Sequence, residues 1–136
     1  MSVFVDTSAW YALLSASDTE HAAALGRFRW LIELRETAVT TNHVVSEAYT
    51  LLRGRLGAQV AFTFLQQVRS DPFVRRVFFP EDWEDDAEHL LEQYEDQAFS
   101  YVDATSFVTM RRLRIREALA FDRDFMVAGF TLMSEQ

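Results

Sequence analysis

Short apolar runs alternate with longer stretches of helical periodicity along this chain, and that rhythm limits the fold more than any other feature. Ser2 to Val5 is apolar and ends at Asp6, and Thr37 to Thr41 is β-branched. Phe73 to Phe79 follows the turn signal Asp71-Pro72, Ala118 to Phe121 ends at Asp122, and Gly129 to Met133 closes the series. Each reads as a strand. Between them, Ser17-Asp18-Thr19-Glu20 has capping-box spacing and predicts a helix to about Arg35 with Ala24, Leu25, Phe28, Leu31 and Ile32 inward. Asn42 is the expected cap of a helix to about Arg53 that buries Val44, Val45, Ala48, Leu51 and Leu52, with Gly54 and Gly57 bracketing its end. A further helix has Phe62, Leu65 and Val68 on one face, and another, opened by Asp103, has Phe107, Met110 and Leu113. Strands separated by helices predict right-handed crossovers: an α/β fold, a three-layer α/β/α sandwich around a mostly parallel sheet of about five strands.

The 136 residues fit one domain spanning 1–136, and 12 Phe with 3 Trp can fill its core. Without cysteine there is neither a disulfide nor a thiolate metal site, which agrees with a cytoplasmic setting. No apolar run approaches a membrane span, and the N-terminus lacks the pattern of a signal peptide. The net charge of −8 is unevenly spread. Nine acids and no base lie between Glu81 and Asp96, so the remainder is close to neutral, with 12 acids against 13 bases. Within the acidic run Trp83, Ala87, Leu90, Leu91 and Tyr94 recur at helical spacing, which reads as a helix with a solvated acidic face. Every base is arginine, the side chain best shaped to fork onto phosphate.

Ligands of parallel sheets bind beyond the carboxyl ends of the strands, and Asp6 and Asp122 are predicted at that edge. Asp6 and Asp103 have a plain alternative as helix caps, and Asp122 as a turn residue. Glu47 is harder to explain away: it lies three residues from Val44 and four from Leu51, beside an apolar face where an unpaired carboxylate is costly. Clustered carboxylates raise one another's pKa unless a cation neutralises them. Oxygen donors without cysteine suit Mg²⁺ or Mn²⁺, which can activate water for phosphodiester hydrolysis.

Four segments carry a family resemblance: Phe4-Val5-Asp6-Thr7-Ser8-Ala9-Trp10, Thr41 to Glu47, Ser100 to Phe107, and Leu119 to Phe125. In this order they resemble a PIN domain, most of all the VapC-like toxin half of a toxin–antitoxin pair. The resemblance implies metal-dependent endonucleolytic cleavage of RNA, with Asp6, Glu47, Asp103 and Asp122 as the catalytic, metal-binding quartet. Asp124, Thr7 and Ser106 would be auxiliary. It also implies a protein antitoxin and a homodimer. Arg53, Arg55, Arg111 and Arg112 are candidates for RNA phosphate contacts, although complementing helix dipoles explains them as well. Of the histidines, His21 and His89 read as solvated and His43 as a surface residue. Receiver domains, dehalogenase-type phosphatases and P-loop proteins need a lysine that this chain lacks. The rival is a PIN fold that binds RNA or protein without a toxin role.

Overall fold

The computed structural model describes residues 1–134. Five strands, β1 (Ser2–Val5), β2 (Thr37–Thr41), β3 (Val74–Val77), β4 (Glu117–Leu119) and β5 (Thr131–Leu132), form one sheet in the order β3-β2-β1-β4-β5. Every pairing is parallel, with Phe4 beside Val39 on one side and Ala118 on the other. Seven α-helices connect them: α1 (Thr7–Leu14), α2 (His21–Glu33), α3 (Asn42–Leu56), α4 (Ala58–Ser70), α5 (Glu84–Gln93), α6 (Tyr101–Leu113) and α7 (Asp124–Val127). β1, β2 and β3 progress one way across the sheet, and β4 and β5 lie on the other side of β1. Right-handed crossovers therefore put α1 to α4 on one face and α5 to α7 on the other. The topological switch falls between β1 and β4, and it opens a crevice at their carboxyl ends.

Each face has its own aromatic filling. Trp10 of α1 packs against Phe28 of α2 and edge-on to Phe64 of α4, with ring centroids 5.9 and 5.5 Å away. On the opposite face Phe125 of α7 lies 6.1 Å from Phe4 of β1 and 4.9 Å, edge-on, from Phe107 of α6. All six rings are buried. The acidic helix uses the predicted stripe: Ala87 and Leu90 are buried, while Trp83, Leu91 and Tyr94 pack partly buried against the core. Glu84, Asp85 and Asp86 occupy its first turn, where negative charge complements the dipole.

The structure corrects several local expectations. Ser17 does not cap α2; the helix starts at His21, and the turn before it is held by Asp18 Oδ1 accepting from the Glu20 N–H. Thr41, not Asn42, caps α3, by accepting from the Val44 N–H. Asn42 Oδ1 instead accepts from the Phe79 N–H at 2.7 Å, which ties the chain beyond β3 to the carboxyl edge. α3 continues through Gly54 to Leu56, and the break falls at Gly57, whose φ of 96° requires glycine where α3 ends and α4 begins. Leu51 is only half-buried, and Phe62 is half exposed while Ala61, Phe64 and Val68 are the buried face of α4. β3, β4 and β5 are shorter than predicted, and β4 ends at Leu119. Asp122 therefore stands in the loop beyond the strand, not directly at its end.

Candidate functional site

Asp6 is the first residue past β1, and its backbone N–H donates to Leu119 O of β4, which pins it at the switch point. Its carboxylate is almost fully buried. Ser8 Oγ donates to Asp6 Oδ2 at 3.1 Å and accepts the Phe121 N–H at 3.0 Å, joining the α1 turn to the loop after β4. Burial, then the nearby charges of Asp122 and Asp103, push the Asp6 carboxyl up to about 7 against the opposing pull of the Thr7 N–H and Ser8.

Asp103 enters from α6. It is the third residue of a capping box: Ser100 Oγ accepts the Asp103 N–H, and Asp103 Oδ2 accepts the Ser100 N–H at 2.9 Å. The helix opens two residues earlier than predicted, at Tyr101, so Asp103 stands third in its first turn, with one carboxylate oxygen outside the box. Partial burial, together with Asp124 and Asp122, raises its carboxyl above the usual range in spite of the Ser100 N–H. Asp122 Oδ1 accepts the Asp124 N–H at 3.0 Å, an Asx turn that starts α7. Burial and the charge of Asp122 raise Asp124 as well. Asp6, Asp103, Asp122 and Asp124 are therefore close enough to feel one another.

Glu47 is tied to this group through Thr7, whose Oγ1 donates to Glu47 Oε1 at 2.6 Å. The contact bridges α1 and α3 and satisfies the half-buried carboxylate that the sequence left without a partner. Thr7→Val keeps the shape and removes the donor. It is expected to destabilise the protein by about 1–2 kcal/mol in urea titrations, whereas Thr7→Ser should cost little. Equal losses in both would assign the effect to packing. Ser106 is buried one turn beyond Asp103, and its Oγ has no hydrogen-bond partner among the described residues.

All donors here are oxygens, the chemistry of a hard divalent cation. As they stand, no three His, Asp or Glu among the described residues are gathered as a ligand set. Asp103 and Asp122 each turn one oxygen onto a local backbone N–H instead.

The predicted arginines lie apart from the carboxylates. Arg53 lies over the Phe62 ring and Arg55 over Tyr11, both at the far end of α3. Arg111 and Arg112 are in the last turn of α6, about 12 Å along its axis from Asp103. Arg112 pairs with Asp86 and covers Trp83. His21 is not solvated, since its Nδ1 lies 2.7 Å from Ala12 O. His43 is half-buried, edge-on to Phe79 and 6.3 Å from Tyr101. Sequence reasoning missed Ser8, the hydroxyl that links both strand ends. Its only signal was a second small hydroxyl following the acid.

Comparison with known proteins agrees with this architecture. The PIN domain family matches residues 3–130. The chain is 39% identical over 128 residues to the 23S rRNA-specific endonuclease VapC20 of Mycobacterium tuberculosis, in strains CDC 1551 / Oshkosh and H37Rv alike, covering 94% of this chain and 95% of that relative. The crystal structure of M. tuberculosis VapC20, described as a sarcin-ricin loop cleaving toxin, superposes with a TM-score of 0.85 at 38% identity, over 96% of this chain and 97% of that one. With its parallel sheet, its order of elements and nearly its whole length matched, this chain belongs to the PIN domain family.

Proposed function

We propose that the chain is a metal-dependent endoribonuclease that acts as the toxin of a toxin–antitoxin pair. The observation that carries this reading is the convergence of four aspartates from β1, α6 and the β4–α7 loop, with Asp6 buried and pushed up to about 7. Desolvated carboxylates that repel one another are a poor structural device and a good cation trap. Asp6, Asp103, Asp122 and Glu47 would hold Mg²⁺ or Mn²⁺, with Asp124 in reserve. When bound, such an ion supplies an acidified water and neutralises charge on the phosphate. Thr7 fixes Glu47, Ser8 fixes Asp6, and the Ser100 box fixes Asp103, so the site is braced from behind. Identity to a 23S rRNA-specific endonuclease supports ribosomal RNA as the substrate class.

A protein antitoxin and a homodimer belong to the same reading. The half-exposed apolar side chains of Leu34, Phe62, Phe78 and Met126 offer surface for them. A cytoplasmic place of action follows from the substrate; no helix among the described residues is long and apolar enough to cross a membrane.

The test is cleavage of an end-labelled ribosomal RNA hairpin by purified protein. Activity is expected with Mg²⁺ or Mn²⁺, loss in excess EDTA, and recovery on adding the metal back. Undiminished cutting in EDTA would remove the metal from the mechanism, and intact RNA under every condition would remove the nuclease.

A further inference from the structure

Arg27 is a cation with no part in bracing the carboxylates. It lies on α2, half-buried, with its Nε fully enclosed and without a hydrogen-bond partner among the described residues. No ion pair involves it among the described residues. Its Cζ stands 5.1 Å from the centre of the Phe121 ring. Phe121 precedes Asp122, and its N–H donates to the same Ser8 hydroxyl that holds Asp6. A guanidinium desolvated on one side and left unpaired is costly unless an anion completes it.

Beside it the outer face of α2 forms a cavity of about 300 Å³ lined in part by Gly26, Arg27, Arg29, Trp30 and Glu33. Two arginines against one glutamate make it basic. Trp30 is partly exposed and offers a face for stacking. At Gly26 an added Cβ would meet nothing within 4 Å, so a ligand can come close to the helix backbone there. The opposite flank has the reverse charge: Glu84, Asp85 and Glu88 of α5 surround Tyr101, two residues from Asp103, with negative charge. A polyanion reaching the aspartates is repelled along α5 and drawn along α2.

We propose that the α2 groove, with Arg27 as its grip, holds the RNA strand that flanks the bond to be cut. The inference rests on the ribonuclease reading and adds the direction in which the strand leaves the site. Arg27 binds phosphate, and Arg29 and Trp30 extend the track.

The experiment measures binding of a labelled ribosomal RNA hairpin to proteins carrying Asp103→Asn, which keeps the RNA uncut, across 50–300 mM salt (about the range over which phosphate contacts are lost). Adding Arg27→Gln, which keeps a polar side chain and removes the guanidinium over Phe121, is expected to weaken binding roughly tenfold to a hundredfold. It should also flatten the log–log salt slope by about 0.7 to 1, the signature of one phosphate contact. Arg116→Ala removes the same charge from the opposite end of the sheet and should shift binding less than about threefold. In the otherwise native enzyme Arg27→Gln should raise KM with kcat nearly unchanged. Equal affinity and slope in the Arg27→Gln and parent proteins, or equal losses from Arg116→Ala, would overturn the groove while cleavage by the native chain left the ribonuclease reading standing. A native chain that neither binds nor cuts RNA would take both down.

Discussion

Asp6→Asn is expected to abolish RNA cleavage and, in the same protein without metal, to raise stability at neutral pH. Burial first, then the charges of Asp122 and Asp103, push the Asp6 carboxyl up to about 7 in the folded chain, from an ordinary value of 3.8. A raised carboxyl binds its proton more tightly in the folded state, so this group favours folding at low pH. It opposes folding progressively as pH rises from about 4 to about 7, by up to about 4 kcal/mol. Asparagine carries no such charge, yet its Oδ1 can still accept one of the hydrogen bonds from the Thr7 N–H and Ser8. Urea titrations in EDTA should therefore show no gap between variant and wild type near pH 4 and a widening gap in the variant's favour towards pH 7. With Mn²⁺ the order should change, because binding to the folded state stabilises wild type more than a variant lacking a ligand. Cleavage should fall at least a hundredfold, about 3 kcal/mol of transition-state stabilisation. A gap that is constant with pH would show that Asp6 is not strained by its charge. An active variant would remove Asp6 from the catalytic set.

How much of this site was legible beforehand follows from the range of each interaction. Asp6 could be placed because an apolar run ending in an acid is a local pattern, and the parallel sheet fixes what the end of a strand faces. Asp103 could be assigned to the start of a helix, but not to the third position of a capping box, because the deciding partner is the Ser100 backbone. Ser17 to Glu20 had the same spacing and made no box. There the chain turned through Asp18 instead, a local alternative that spacing alone cannot rank. Asn42 looked like a cap beside Thr41, and the choice was settled by Phe79, 37 residues away, which claimed the Asn42 side chain. Glu47 stood out as a carboxylate on an apolar face. Its partner, Thr7, lies 40 residues earlier and nothing in the spacing names it. Arg27 escaped notice for a similar reason, since its meaning depends on Phe121 and on its having no ion pair among the described residues. Phe62 failed because helical periodicity gives the stripe but not its edges; Ala61 and Phe64 took the buried face.

Phe125→Ala is expected to have the largest effect on stability and to disable the site without touching a carboxylate. Phe125 sits in the short helix that begins at Asp124, just beyond Asp122, and it is fully buried. Its ring meets Phe4, two residues before Asp6, and Phe107, four residues after Asp103. Phe107 in turn contacts Phe99 and Phe130. One aromatic cluster thus underlies all three segments that bring aspartates together, and it opposes their mutual repulsion. Truncation to alanine removes the buried ring and leaves a cavity, at a cost of about 3–5 kcal/mol. That is a large part of the 5–15 kcal/mol or so by which a domain of this kind is stable. Phe125→Leu keeps most of the volume and should cost roughly 1–2 kcal/mol, leaving a folded protein for assay. If the cluster positions the aspartates, Phe125→Leu should bind Mn²⁺ more weakly and cleave more slowly at a temperature where it is fully folded. Leu90→Ala, on the buried face of α5 beside Val108 and Arg111 of α6, supplies a comparison of equal or greater stability loss outside the Phe4–Phe107–Phe125 cluster. Should both variants lose activity only in proportion to the fraction unfolded, the ring is packing and nothing more. A selective loss in Phe125→Leu would show that the aromatic core sets the spacing of the carboxylates above it.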